Sequence, residues 1–494
     1  MPEKRKAVVA STKSALKKSA EALQNHQAPS WWRAAKLGIF IHWTPASIPA
    51  FAPTGRDMVV GEEVKNPRGF AESPYSEWYE NSLRFPGSTV ANHHTATYGQ
   101  KPFSDFGPEW ESGLAHWDPV EWASRFAATG ARYVVLVAKH MEGYCLWPSA
   151  VPNPHRPNWN SSRDVVGELA SAVRQAGMKF GLYYSGGFDA TWNDHPIGSF
   201  GDVPLAVPRG GYPEYAAAQV RELIDRYQPS VLWNDICWPA PREELIPILE
   251  YYYQAVPDGV INDRFLCWSP LWKMARYKFV RKIINNAAAK SAKKEAGLVP
   301  PKPEFFDVRT PEYTTYDEIQ SVPWECVRGM DHSFGYNRAS RPEDFITRQD
   351  LLWSFSDIVA KGGNLLINIG PRGEDAQIPE PQVERLGWLQ DFTAEAKDAL
   401  FDTQPWSVAE GSDESGLEIR YTASPDSVHA LVRGPVNHLR SLTFTGLKSE
   451  TATSKGVALV CRNDNHGTTV EINTDLSPDV PLEISFPEGK RSQA

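Results

Sequence analysis

Ser230-Val231-Leu232-Trp233-Asn234-Asp235 is a hydrophobic run that ends on an acid. It follows a helical pattern over residues 215–227 that stops before Pro229, because proline cannot continue a helix. Short and rich in β-branched and aromatic side chains, the run reads as a buried strand. The same unit recurs on both sides. Residues 37–43 read as a strand. A helix over 120–129 stops at Gly130 and leads into a strand over 132–140, and a helix over 165–175 stops at Gly177 and leads into a strand over 178–184. Downstream, 259–263 and 363–369 read as two further strands. Such alternation builds a parallel sheet covered by helices, and so many units in one run fit a closed barrel better than an open sheet. The expected class is therefore α/β, with a (β/α)8-like, TIM-type barrel. No Gly-x-Gly-x-x-Gly stands at a strand end, so no dinucleotide cofactor is expected.

Two stretches interrupt the rhythm. Residues 185–214 are rich in Gly and Pro and read as a long loop; residues 272–300 form a basic, Ala-rich helical insertion that either covers the barrel mouth or stands as an exposed flap. Past residue 404 the pattern changes to short alternating segments such as Leu417 to Tyr421, Ser427 to Val432 and Thr469 to Ile472, which read as an antiparallel β-sandwich. The expected division is an N-terminal extension over 1–29, a catalytic barrel over 30–403 and a β-sandwich over 404–494. The basic start lacks the apolar stretch of a signal peptide and reads as a solvated helix.

Composition narrows the partners. At 494 residues and 41% hydrophobic the chain can bury a large core, and a net charge of −9 argues against nucleic acid, which needs a basic face. Five scattered cysteines make neither a disulfide framework nor a zinc site, and no apolar run reaches 18 residues. No metal, no cofactor and no membrane contact are expected, and the location expected is cytoplasmic. The 18 Trp, 18 Tyr and 21 Phe are the unusual feature: flat rings can stack on sugar faces, though they also simply pack cores.

In a β/α barrel, polar groups at the C-terminal ends of strands converge on one mouth. That rule selects His42, Lys139, His140, Tyr183, Tyr184, Trp233, Asp235, Asp263, Arg264 and Asn368. Asp235 could equally serve as a helix cap or ion-pair partner, and the histidines as core residues satisfied by backbone. Glycoside hydrolysis would need a second carboxyl group, about 5–5.5 Å from the first in a retaining enzyme. Glu312 and Glu325 are the downstream candidates.

The segments Ala35 to Trp43, Glu77-Trp78-Tyr79, Gly130 to His140, Gly181 to Ser185, Leu232 to Ile236, Asn262-Asp263-Arg264, Thr310-Pro311-Glu312-Tyr313, Trp324-Glu325-Cys326 and Gly362 to Pro371 stand in one order along residues 30–405. In that order they resemble the α-L-fucosidases of glycoside hydrolase family 29. The resemblance implies a retaining exo-enzyme acting on fucosylated oligosaccharides or glycoconjugates. It implies Asp235 as nucleophile and Glu312 as acid/base, with Glu325 in reserve. It further implies sugar contacts from His42, Tyr75, Glu77, His140 and Trp233, from Arg264 beside the ring or nucleophile, and from Tyr183 or Tyr184. One departure stands out: the family usually carries two adjacent histidines before Asp-Gly or Glu-Gly, whereas here the run is Lys139-His140-Met141-Glu142-Gly143. A thioether is a weak acceptor, so one hydroxyl contact is expected to be lost, which leaves α-L-galactoside as a rival substrate and a non-catalytic sugar-binding protein as a rival class.

Overall fold

The structure is a computed structural model and describes residues 14–55, 66, 68–294, 298–412, 416–434, 441–472 and 479–491. Its centre is a seven-stranded sheet: β1 Leu37–Ile41, β2 Tyr133–Lys139, β3 Lys179–Ser185, β4 Val231–Asp235, β5 Val260–Ile261, β6 Trp324–Arg328 and β7 Gly363–Ile369. All pairs are parallel, in the order β5-β4-β3-β2-β1-β7-β6. The two edges do not meet directly. Residues 307–313 run between them, donating from Val308 N–H to the Ile261 carbonyl on one side and from Tyr313 N–H to the Val327 carbonyl on the other. Isolated parallel bridges, Asn262 with Val308 and Glu312 with Val327, stand where a regular eighth strand would.

The helices between strands are amphipathic and capped by their own sequence. Pro119–Ala128 starts at Asp118, whose carboxylate accepts from the Val120 and Glu121 N–H groups, and Val165–Gln175 starts at Asp164. A helix not anticipated from the sequence, Arg242–Ala255, carries Pro247 inside it. Strand β6 also went unread, because Glu325, its second residue, breaks the apolar run.

Alternate residues of each strand face two cores. Ile39, Leu136, Leu182, Tyr184, Leu232 and Ile367 pack outward against the helices. Phe40, Tyr133, Val135, Val137, Tyr183, Val231, Trp233, Val327 and Leu366 fill the barrel. From Gln404 the strands are antiparallel, in sheets of six, three and two. Ile419, Ala430, Ile484 and Phe486 of the six-stranded sheet share one core with Leu442, Phe444 and Val470 of the three-stranded sheet. This unit is fastened to the barrel by a charge cluster: buried Lys361 reaches Asp357 at 2.9 Å and the half-exposed Glu410 at 2.8 Å, and Arg420 also pairs with Asp357.

Residues 14–24 are helical and half-docked rather than free in solvent, with Ala20 and Leu23 buried in the main core. Within the basic insertion, Lys278–Lys294 is a helix. It packs on the turn at 199–202, where the Asn285 side chain accepts from the Gly201 N–H at 2.7 Å and Arg281 pairs with Asp202. Phe279 and Ile283 remain exposed on its outer face. The insertion is thus neither a free flap nor a complete cover.

Candidate active site

A pocket of about 640 Å³, counted out to its mouth, opens at the C-terminal ends of the barrel strands. Its polar lining is His42, Tyr75, Glu77, His140, Tyr183, Trp233, Asp235, Arg264 and Glu312. Strand period explains most of this. Asp235 lies two residues beyond Trp233, on the inward face of β4, and Tyr183 faces inward from β3 beside it. Tyr184 therefore points away: its hydroxyl donates to Gln219 at 2.9 Å in the outer core, so it is not a pocket residue. His140 needs a different device. The β2–β3 register shifts between Val137 and Lys139, a β-bulge that reverses the alternation. Lys139 turns outward to a fully buried ion pair with Asp189 at 2.8 Å, and His140 turns inward. Without the bulge the two would exchange faces.

Asp235 accepts three hydrogen bonds: from the Tyr183 hydroxyl at 2.7 Å, from its neighbour's Ile236 N–H at 2.8 Å and from Arg264 Nη1 at 3.2 Å. Arg264 Nη2 donates to Glu312 Oε1 at 2.6 Å and to the Thr310 carbonyl at 3.1 Å. One planar guanidinium thus ties the two carboxyl groups together, and it lies 4.9 Å over the Trp233 ring. Both carboxyl groups precede a residue with left-handed backbone, Ile236 at φ +68° and Tyr313 at φ +53°. For a β-branched residue such as Ile236 that conformation is costly, on the order of 1–3 kcal/mol, and persists only where the surroundings hold it.

The environments of the two acids differ. Burial pushes the Glu312 carboxyl up, Arg264 opposes this and Asp235 adds to it, for a net rise above the ordinary glutamate value. Glu77, also buried, is pushed up to about 7, with a backbone N–H from Gly335 at 2.7 Å working against the shift. Glu325 is elsewhere. It faces the barrel interior below the pocket, fully buried, and accepts from the Tyr133 hydroxyl at 2.7 Å and from Trp233 Nε1 at 3.1 Å. Burial raises it to about 7 as well, but it is not part of the pocket lining and holds Trp233 from beneath.

Sequence reasoning missed the apolar half of the pocket: Phe40, Phe70, Trp78, Phe188, Phe200, Val203, Ile236, Leu298, Val327 and Phe334. Phe40 was within reach, since it shares strand parity with His42. Val327 comes from β6, and the others from connecting segments and short helices whose placement no period encodes. Met141 packs behind this wall with Phe70, Phe188 and Trp268, 5% exposed, and does not line the pocket. Among the described residues, no group of three or more His, Cys, Asp or Glu side chains is placed to hold a metal ion.

A parallel β/α barrel with two carboxyl groups tied at the strand ends, in a pocket lined by aromatic rings and histidines, defines a glycoside-hydrolase type of catalytic barrel. The comparisons identify which one. The chain belongs to the α-L-fucosidase family, whose profile matches residues 5–396. It is 29% identical over 438 residues to an α-L-fucosidase of Branchiostoma floridae, covering 83% of this chain and 80% of that protein. To the plasma α-L-fucosidase of Rattus norvegicus it is 30% identical over 419 residues, covering 82% and 77%. The crystal structure of Thermotoga maritima α-fucosidase in complex with a mechanism-based inhibitor superposes with a TM-score of 0.77 at 33% identity, covering 95% of this chain and 99% of that one.

Proposed function

We propose that this chain is a retaining exo-α-L-fucosidase in which Asp235 attacks C1 of the terminal fucosyl residue and Glu312 is the acid/base. The observation that carries this reading is the Arg264 bridge between Asp235 and Glu312. A guanidinium held by both carboxyl groups keeps them close, as double displacement requires. Asp235, with three donors on it, is stabilised as the attacking carboxylate, and Tyr183 and Arg264 fix its direction. Burial and the Asp235 charge favour the protonated form of Glu312, against the pull of Arg264, which suits it to protonate the departing oxygen. Once Asp235 is esterified its charge is gone, while Arg264 remains. The Glu312 proton affinity falls, which suits it to deprotonate the incoming water. His42, Tyr75, Glu77, His140 and Trp233 are assigned to the sugar.

The apolar wall supports fucose over L-galactose. The C6 methyl of fucose meets rings and aliphatic side chains there, whereas a C6 hydroxyl would be left without a partner. Discrimination of about 10–100-fold is expected, since an apolar pocket rejects an added hydroxyl only modestly. The substrates assigned are fucosylated oligosaccharides or glycoconjugates. The five cysteines are free, which fits a reducing compartment and supports a cytoplasmic site of action. No helix among the described residues is long and apolar enough to cross a membrane.

The test is hydrolysis of an aryl α-L-fucoside by the wild type and by Asp235→Gly. The variant is expected to lose about 10⁴–10⁶-fold in kcat and to regain turnover with azide, releasing the β-fucosyl azide. Absence of wild-type turnover on both the fucoside and the α-L-galactoside would overturn the enzymatic reading.

A further inference from the structure

The two pocket histidines sit 5.6 Å apart, yet their partners set them up differently. His42 Nδ1 lies 2.6 Å from the Asn368 side-chain oxygen, and the Asn368 amide donates to the Phe334 carbonyl, which fixes which end of Asn368 faces the ring. Nδ1 is therefore the protonated nitrogen of His42. Burial and the neighbouring His140 hold this imidazole well below its ordinary pKa despite Asn368, so it is neutral and its Nε2 is an acceptor.

His140 has the opposite surroundings. The chain turns back after it, Gly143 N–H donating to the His140 carbonyl at 3.0 Å with Gly143 at φ +78°. This turn brings Glu142 Oε2 to 3.4 Å from His140 Nδ1. Glu142 is 1% exposed, and neither of its oxygens has a hydrogen-bond donor on it. A buried carboxylate without a counter-charge is very unfavourable, and His140 is the basic group in contact with it. The other groups facing His140 are Glu77, Asp235 on β4, the Tyr183 ring stacked at 5.6 Å on β3, and His42 at the end of β1. On the far side of Glu142 stands Glu80, itself paired with Arg84 and Arg156. Burial pulls the His140 pKa down, but Glu142, Glu77 and Asp235 outweigh it and the balance is upward.

We propose that Glu142 is a positioning residue that holds His140 as an imidazolium, so that His140 donates from Nε2 to a sugar hydroxyl while His42 accepts from another. The pair then presents one donor and one acceptor side by side, a polarity pattern that neutral histidines of undefined tautomer would not keep. This inference rests on the pocket binding fucose and extends that reading to a residue outside the pocket lining.

The test measures L-fucose affinity against pH, which requires no chemistry, together with the ¹⁵N imidazole shifts of His140, assigned with His140→Gln. In the wild type, fucose affinity falls as pH rises through the His140 pKa, above the ordinary histidine value. In Glu142→Gln that fall moves to lower pH by about one unit, giving a loss of a few-fold near neutrality that approaches about tenfold at higher pH, and Glu142→Asp restores the wild-type profile. An unchanged pH profile in Glu142→Gln overturns the proposal. So does an equal loss at every pH with His140 titrating as before, which is the mark of a merely structural role. If L-fucose does not bind the wild type, the sugar assignment fails instead, and the imidazole shifts still report whether Glu142 charges His140.

Discussion

Two sides of the barrel mouth carry the two acids, and they are built differently. On the β1–β4 side the sheet is a parallel ladder broken by a single bulge between β2 and β3, and Asp235 ends a strand paired with β3 through five successive residues. Beyond β5, Glu312 lies in a segment that joins β5 to β6 through isolated bridges, and its backbone pairs antiparallel with Leu298, where the basic insertion returns. A nucleophile must meet C1 along one line of attack, so a rigid ladder suits it. An acid/base must follow the leaving oxygen and then water, and a segment held by a few bonds accommodates both. Such segments also accept insertions without disturbing the ladder.

This contrast can be broken experimentally. The largest separation is expected between the acids themselves. Asp235→Gly abolishes turnover of every substrate, whereas Glu312→Ala costs about 10²–10⁴-fold for poor leaving groups and spares good ones. Equal losses across leaving groups in Glu312→Ala would remove it from the acid role, and the same leaving-group pattern in Glu325→Ala would return that role to Glu325. Next is Arg264, the link between the two sides. Arg264→Met takes a cation from both carboxyl groups, so the Glu312 pKa rises and the limb of the kcat/KM profile that Glu312 governs moves to higher pH. The sign is fixed because Arg264 lowers the Glu312 pKa in the intact site. A shift to lower pH would contradict the geometry. Losing charge-assisted hydrogen bonds of about 1.5–3 kcal/mol also lowers kcat/KM by roughly 10–100-fold. The smallest effect belongs to Leu298→Pro, which removes the N–H that bonds the Glu312 carbonyl at 3.2 Å. A loss of about tenfold is expected for poor leaving groups, with azide rescue of Asp235→Gly unaffected in the double variant. Loss of rescue would show that the two sides are not independent.

Legibility followed the same division. The β2, β3, β4 and β7 strands were read within a residue or two, because β-branched and aromatic runs ending at turn residues carry a period of two. The inward-facing Asp235, Trp233 and His42 came with them. Tyr183 and Tyr184 could not be separated in the sequence, since the choice depends on the parity of a neighbouring strand. Glu325 looked like an acid because it stood in a family motif; the structure shows it one layer down, under Trp233. Met141, which the sequence reads as a lost sugar contact, packs behind Phe70 and Phe188 and stays out of the pocket lining.

The amino-acid sequence by itself determined the alternation of strands and helices, the inward acid of β4 and the family resemblance, because local propensity and periodicity are written residue by residue. Only the tertiary structure decided which side His140 faces, which glutamate lines the pocket and what lies around it. A bulge inverts facing without a sequence signature, and depth below a barrel mouth is a property of register between strands far apart in the chain. The loops that bring Phe70, Phe200, Leu298 and Phe334 together are placed by packing against one another, which no single segment encodes.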